Sequence, residues 1–204
     1  MYTQDFESPQ AIKDFEMTDA KAWRISESKT GNALELFGKS DYKSRVRSPF
    51  NIALIKDVVV GDFVFEAALN QTGKEYSHRD LCLFFGATSS TNFYYVHIAS
   101  KADDHANNIF IVNDAPRKSI GTKTTEGTDW GKTDSWHKVR IEREVASGSI
   151  KVYFDESKTP IMEATDVHFT EGRIGIGSFD DTGKFDNIKI WSNDVIEMGS
   201  GFFD

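Results

Sequence analysis

Cysteine is nearly absent: the 204-residue chain has one, Cys82. That excludes an internal disulfide. Because Cys82 lies inside an apolar run, it reads as a buried structural thiol. No apolar stretch reaches the roughly 18 residues that a membrane-spanning helix needs, so membrane insertion has no candidate segment. There is no block of lysine and arginine. The balance runs the other way, with 32 Asp and Glu against 24 Lys and Arg and a formal net charge of −8. Such a surface repels phosphate backbones and argues against nucleic acid as a partner. The opening MYTQDFESPQ has neither the basic start nor the apolar centre of a leader peptide. Two compartments stay open: cytoplasmic, or secreted or periplasmic with Met1 standing where a leader was removed. Nothing in the sequence fixes an oligomeric state.

Helical period is missing as well. In its place are short runs of alternating or continuous apolar residues, spaced ten to fifteen apart and separated by turn residues. Asp62–Leu69 (DFVFEAAL) puts Phe63, Phe65 and Ala67 on one face. Trp136–Glu142 (WHKVRIE), the turn SGS at 147–149 and Ile150–Asp155 (IKVYFD) read as a hairpin. Sixteen phenylalanines suit half-buried pleated surfaces. These features predict an all-β fold, an antiparallel jelly-roll sandwich with little helix, formed by residues 1–204 as one domain.

The stretch from Ser77 to Arg117 concentrates residues that can do chemistry. Leu81–Phe85, Phe93–Ile98 and Ile109–Val112 are apolar, and His78, Arg79, Asp80, Tyr95, His97, His105, Asn113 and Arg117 are set among them. Alternation along Phe93–Ala99 gives Tyr94, Val96 and Ile98 to the core and turns Tyr95 and His97 the other way. On an open sheet face, Tyr95 would offer an aromatic platform and His97 a group that hydrogen-bonds or moves a proton. His78, His105, Asn113 and Arg117 would orient the ligand. Arg79 either joins them or pairs with a carboxylate. The loop 102–108 (ADDHANN) offers oxygen and nitrogen ligands without the fixed spacing of a metal motif. No Ser-His-Asp set, phosphate loop or dinucleotide motif occurs.

FGATSSTNFYYVHIA, WHKVRIER, SGSIKVYFDE and GRIGIGSFDDTGKFDNIKIW together resemble the concanavalin A-like lectin/glucanase superfamily. Within it, they are similar to the laminin-G-like and 3-keto-disaccharide-hydrolase-like glycosyl hydrolase branches. The likeness is strongest over 62–191. It implies a jelly roll with carbohydrate as partner, a poly- or oligosaccharide on the concave face. It also implies a structural Ca²⁺ joining the two ends of the chain, with Asp5, Glu7 and Asp186 as ligands. The chain has neither the E-x-D-x-x-E strand of retaining glucanases nor an E-x-Q-[IL]-x-D run. Three functions follow: a carbohydrate-binding domain; a glycoside hydrolase or polysaccharide lyase with His97 and Tyr95 as catalytic residues; or a structural or adhesion module.

Overall fold

Period-two patterning builds strands along nearly the whole chain. The computed structural model describes residues 1–29, 31–193, 195–196 and 202–203. Its strands are β1 (Tyr2–Gln4), β2 (Phe15–Met17), β3 (Trp23–Ser28), β4 (Gly31–Leu36), β5 (Asn51–Val60), β6 (Phe63–Gln71), β7 (Asp80–Ser89), β8 (Asn92–Ala99) and β9 (Asn108–Asn113). They continue as β10 (Lys118–Ser119), β11 (Gly121–Lys123), β12 (His137–Glu144), β13 (Ser149–Phe154), β14 (Met162–Thr165), β15 (Gly172–Ser178), β16 (Gly183–Trp191) and β17 (Val195–Ile196). Among the described residues the only helical segments are two 3-10 turns, Pro9–Asp14 and Ala20–Ala22. Ser8 and Asp19 cap them by accepting from the backbone N–H two residues on.

Two antiparallel sheets form, as the patterning predicts. The first runs β11-β14-β13-β12-β6-β16-β4-β3, with β1 also on β16; the second runs β10-β9-β8-β7-β15-β5-β17, with β2 also on β5. The expected β12–β13 hairpin is present, and Gly148 closes its turn at φ 72°, a conformation costly for other residues. Asn51–Val60, which reads from sequence as strand or helical turn, is a strand. Asp57, at φ 57°, lies within the shift of register between β5 and β15.

Between the sheets lies one core, to which β6 gives Phe63, Phe65 and Ala67, β12 gives Val139 and Ile141, and β13 gives Ile150 and Val152. The facing strands β7 and β8 contribute Leu81, Leu83, Phe85, Tyr94, Val96 and Ile98. The assignment of Tyr94, Val96 and Ile98 from alternation agrees with this.

The opposite face of the second sheet does not fit the sequence-based expectation. It is a second apolar cluster, not an open surface. Ile52, Leu54, Cys82, Phe84, Phe93, Tyr95, Phe110 and Val112 pack there, and Val46, Phe202 and Phe203 cover them. A sheet buried on both faces carries near-continuous apolar runs, as β7 and β8 do.

Gly177 marks a close approach between β15 and β5. A Cβ there would sit 1.9 Å from the backbone oxygen of Asn51. Gly177→Ala must therefore part the two strands. We expect a loss of about 3 kcal/mol in a urea titration, from overpacking at a site that cannot relax; an unchanged midpoint would contradict this register.

Candidate functional site

The apolar cover of the second sheet stops at one end, where β7 begins and β8 ends. A pocket of about 250 Å³ opens there, lined by His78, Asp80, His97, His105, Arg117 and Asp180, with Arg47, Tyr76, Ala106 and Phe179. Five residues singled out from sequence, His78, Asp80, His97, His105 and Arg117, thus meet in one place.

Strand pairing sets the inner wall. Cys82 lies opposite His97 across β7 and β8, and Asp80 shares its face two residues away. Asp80 is 1% exposed and His97 4%. Asp80 Oδ2 accepts from the backbone N–H of Phe179 at 2.7 Å and from the Cys82 thiol at 3.2 Å. His97 Nε2 lies 3.4 Å from the same oxygen. Burial pushes the Asp80 carboxyl up, but His97 and these hydrogen bonds outweigh it and hold the group below the usual carboxylate range. Burial, with Asp80 beside it, drives the Cys82 thiol well up, as expected of a structural cysteine.

Arg117 orients the histidine. Its Nη1 donates to the Tyr95 hydroxyl at 2.9 Å and lies 3.4 Å from His97 Nδ1. A guanidinium only donates, so Nδ1 accepts and the ring proton sits on Nε2, facing Asp80. The contact with Asp80 falls short of a hydrogen bond, and Arg117 Nε is buried without a hydrogen-bond partner among the described residues. Phe179 stacks on the His97 ring, with centroids 6.1 Å apart and planes 11° apart, and carries the Arg117 guanidinium 4.2 Å from its own centroid.

The outer wall is loop. His78 Nε2 pairs with Asp103 Oδ2 at 2.8 Å, tying the loop before β7 to the loop before β9. Asp181 Oδ2 accepts from Asp80 N–H at 2.8 Å and from the Tyr76 hydroxyl at 2.7 Å. Burial first, and then repulsion from Asp80, lift Asp181 to about 7 despite those bonds. Burial and Asp80 also raise Asp180. Sequence reasoning missed Asp180 and Asp181, which lie in SFDDTG between two strands. Only the doubled carboxylate at a strand end pointed to them.

Three expected site residues lie elsewhere. Tyr95 does face away from the inter-sheet core, but it is fully buried among Phe84, Phe93 and Phe110. Its ring cannot stack on a sugar. Asn113 is exposed at the far end of β9, paired with Asn92, while His97 pairs with Asn108. Five residues of strand, roughly 17 Å, separate it from His97. Arg79 neither reaches the pocket nor pairs with a carboxylate. It is 4% exposed and donates to the Gly131 carbonyl at 2.9 Å and the Ser100 hydroxyl at 3.4 Å.

Two sets of side chains in this region are close enough to share a metal ion: Asp80, Cys82 and His97, and Asp80, Asp180 and Asp181. The first is better described as a hydrogen-bonded set. A metal on His97 Nε2 would move the ring proton to Nδ1, against the Arg117 guanidinium. At the other end of the sandwich, Asp186 is 4% exposed. Burial, with Glu7 and Asp5 adding repulsion, raises it to about 6. Glu7 Oε1 accepts from Asn32 N–H at 3.0 Å. Oxygens of Asp5, Glu7 and Asp186 do not all come within 4.8 Å of one another.

Asp181 gives a pH signature with a definite sign. Its folded value of about 7 lies above the ordinary 3.8, so the folded state holds the proton more tightly. Folding stability due to this group falls as pH rises from about 4 to about 7. Asp181→Asn keeps an acceptor without the charge. The melting temperature of the variant minus that of wild type should grow by several degrees between pH 4 and pH 8; a difference independent of pH would refute the assignment.

No protein-family model and no curated protein sequence matches the chain. Solved structures do. Carbohydrate-binding module CBM66 from Bacillus subtilis matches with a TM-score of 0.60 at 19% identity, over 88% of this chain and 96% of that one. A protein of unknown function with a galectin-like fold, also from Bacillus subtilis, matches with a TM-score of 0.63 at 14% identity, over 97% of each. Lectin I-B4 from Griffonia simplicifolia, in its metal-free form, matches with a TM-score of 0.59 at 13% identity, over 95% of this chain and 100% of that one. The fold is therefore a jelly-roll sandwich of the kind seen in these structures.

Proposed function

We propose that the chain is a carbohydrate-binding domain and that the pocket between the start of β7 and the end of β8 is its glycan site. One observation carries the reading: His97 and Arg117 stand beside the Phe179 ring in the wall of that pocket. Polar groups beside an aromatic ring suit a sugar, which has both hydroxyls and apolar C–H faces. His78, His105 and Asp180 supply further donors and acceptors at the rim. The fold is shared with a carbohydrate-binding module and a lectin. A second reading, a glycoside hydrolase or lyase, is favoured by the Asp80–Asp181 neighbours, whose environments push their carboxyls apart, one below its usual range and one to about 7.

A polysaccharide panel scored for both binding and release of reducing ends separates the readings. A binding domain retains a glycan without releasing ends. Asp180→Ala and His105→Ala, both at the exposed rim, should each weaken retention by roughly tenfold, the scale of one hydrogen bond to a charged group, with melting unchanged. Sustained release of ends that Asp181→Asn abolishes would move the assignment to the enzyme. If no glycan is retained, or both rim variants bind like wild type, the site is wrong.

Asp5, Glu7 and Asp186 would hold a structural Ca²⁺. Support comes from the repulsion among them, which a cation relieves. Ca²⁺ takes about six to eight oxygens, so backbone carbonyls and solvent must complete the shell. Without the ion, ionising Asp186 costs stability as pH rises from 3.8 to about 6. Calcium stabilisation should grow over the same window. At pH 7.5 a chelator should lower the melting temperature of wild type but not of Asp186→Asn; equal curves with and without chelator would remove the ion.

A further inference from the structure

The chain is acidic, yet the segment between β4 and β5 is not. Residues 38–50 carry Lys39, Lys43, Arg45 and Arg47 against a single carboxylate, Asp41. This segment borders the pocket, and the backbone N–H of Arg117 donates to the Arg47 carbonyl at 2.9 Å. The guanidinium carbons of Arg117 and Arg47 lie 4.2 and 5.6 Å from the centre of the same Phe179 ring. Two like charges lie against one aromatic ring. Among the described residues, neither arginine has a carboxylate within ion-pair distance. Paired guanidinia that no carboxylate meets at ion-pair distance, although Asp80 and Asp180 line the same pocket, fit an anionic ligand.

Resting on the glycan-binding reading, we infer that the ligand is an acidic sugar whose carboxylate is held by Arg47 and Arg117. Three features select a uronate. The Arg117 Nη1 is occupied by Tyr95 and His97 and its Nε is buried, while Arg47 is exposed. The two guanidinia, one fixed and one free to move, would hold a carboxylate between them. Asp180, His78 and His105 lie across the same pocket and suit hydroxyls on the remainder of the ring. The volume, about 250 Å³, is below the range for drug-sized ligands and is scaled to a single sugar residue. The cations of the 38–50 segment would steer a polyanion to this end of an otherwise repelling surface.

The test uses the full chain with polygalacturonate and alginate, each beside its esterified form, a neutral galactan and dextran sulfate. Calorimetry at about 0.1 M salt should show at least one polyuronate bound roughly tenfold or more tighter than its ester. Arg47→Gln, at an exposed position, should remove that preference. Arg117→Lys keeps the charge and loses the planar guanidinium, so it should also cost roughly tenfold on the acid form. Equal binding of acid and ester, or of the neutral galactan, would overturn this inference and leave the glycan-binding reading standing. Dextran sulfate bound as tightly as the polyuronates, with Arg117→Lys behaving as wild type, would overturn the carboxylate assignment in favour of charge alone. Retention of no polysaccharide would overturn both.

Discussion

The second sheet is apolar on both faces, and the rest of the molecule answers to that constraint. Its inner face is covered by the first sheet. Its outer face, with Phe84, Phe93, Tyr95 and Phe110 on adjacent strands, needs a cover of its own, supplied by Val46, Phe202 and Phe203. Leaving such a surface in water would forfeit hydrophobic stabilisation on the scale of about 25 cal/mol for each Å². The cover ends where the sequence turns polar, at Asp80 on β7 and His97 on β8. The pocket lies at the limit of the apolar pattern, which is why its floor is aromatic and its walls are charged.

Placing charge at that limit has a consequence. Asp80 is almost fully buried, and an unpaired buried carboxylate is costly. It is tolerated because Phe179 N–H, the Cys82 thiol and His97 surround it. Arg117 fixes the tautomer of His97, and the Tyr95 hydroxyl accepts from Arg117. Tyr95 therefore serves the site from below, as a buried support for the arginine. Removing one partner of a buried pair costs about 3–5 kcal/mol because the other is stranded. A His97 truncation would test the fold as much as the ligand. The rim residues His78, His105, Asp180 and Arg47 are free of that confusion.

The fold was legible because alternation and turn chemistry recur along the chain. The same rule gave Tyr94, Val96 and Ile98 to the core, and the concentration of polar residues in 77–117 brought His78, His97, His105 and Arg117 under suspicion together. It failed at Tyr95 for an identifiable reason. Opposite faces were taken to mean one buried and one open, whereas LCLFF and NFYYV are apolar at successive positions, the pattern of a sheet covered twice. Asn113 was misplaced because distance along a strand cannot be read without the pairing. Arg79 was misplaced because its acceptors, the Gly131 carbonyl and Ser100, are brought to it only by loops. Asp180 and Asp181 were invisible for the same reason: their partner Asp80 is 100 residues away in sequence.

The segment from Lys39 to Ser48 shows how cover and site are joined. It is not a named strand, yet it alternates through its whole length. Lys39, Asp41, Lys43, Arg45 and Arg47 are exposed, while Ser40, Tyr42, Ser44, Val46 and Ser48 are buried or half-buried. Its inward polar groups are satisfied locally: Ser40 Oγ accepts from Tyr42 N–H at 3.0 Å, and the Ser44 and Ser48 hydroxyls meet at 2.7 Å. Val46 and Tyr42 meet the apolar cover, the latter against Phe203. In an extended chain, successive side chains must point in opposite directions. Once Val46 is committed to the apolar face, Arg45 and Arg47 are committed to solvent, and every second residue from Lys39 on follows. Closing the outer face of the sheet therefore leaves these charged residues in solvent and brings Arg47 to the wall of the pocket without any further device. The charge of the site follows from the way the sheet is covered.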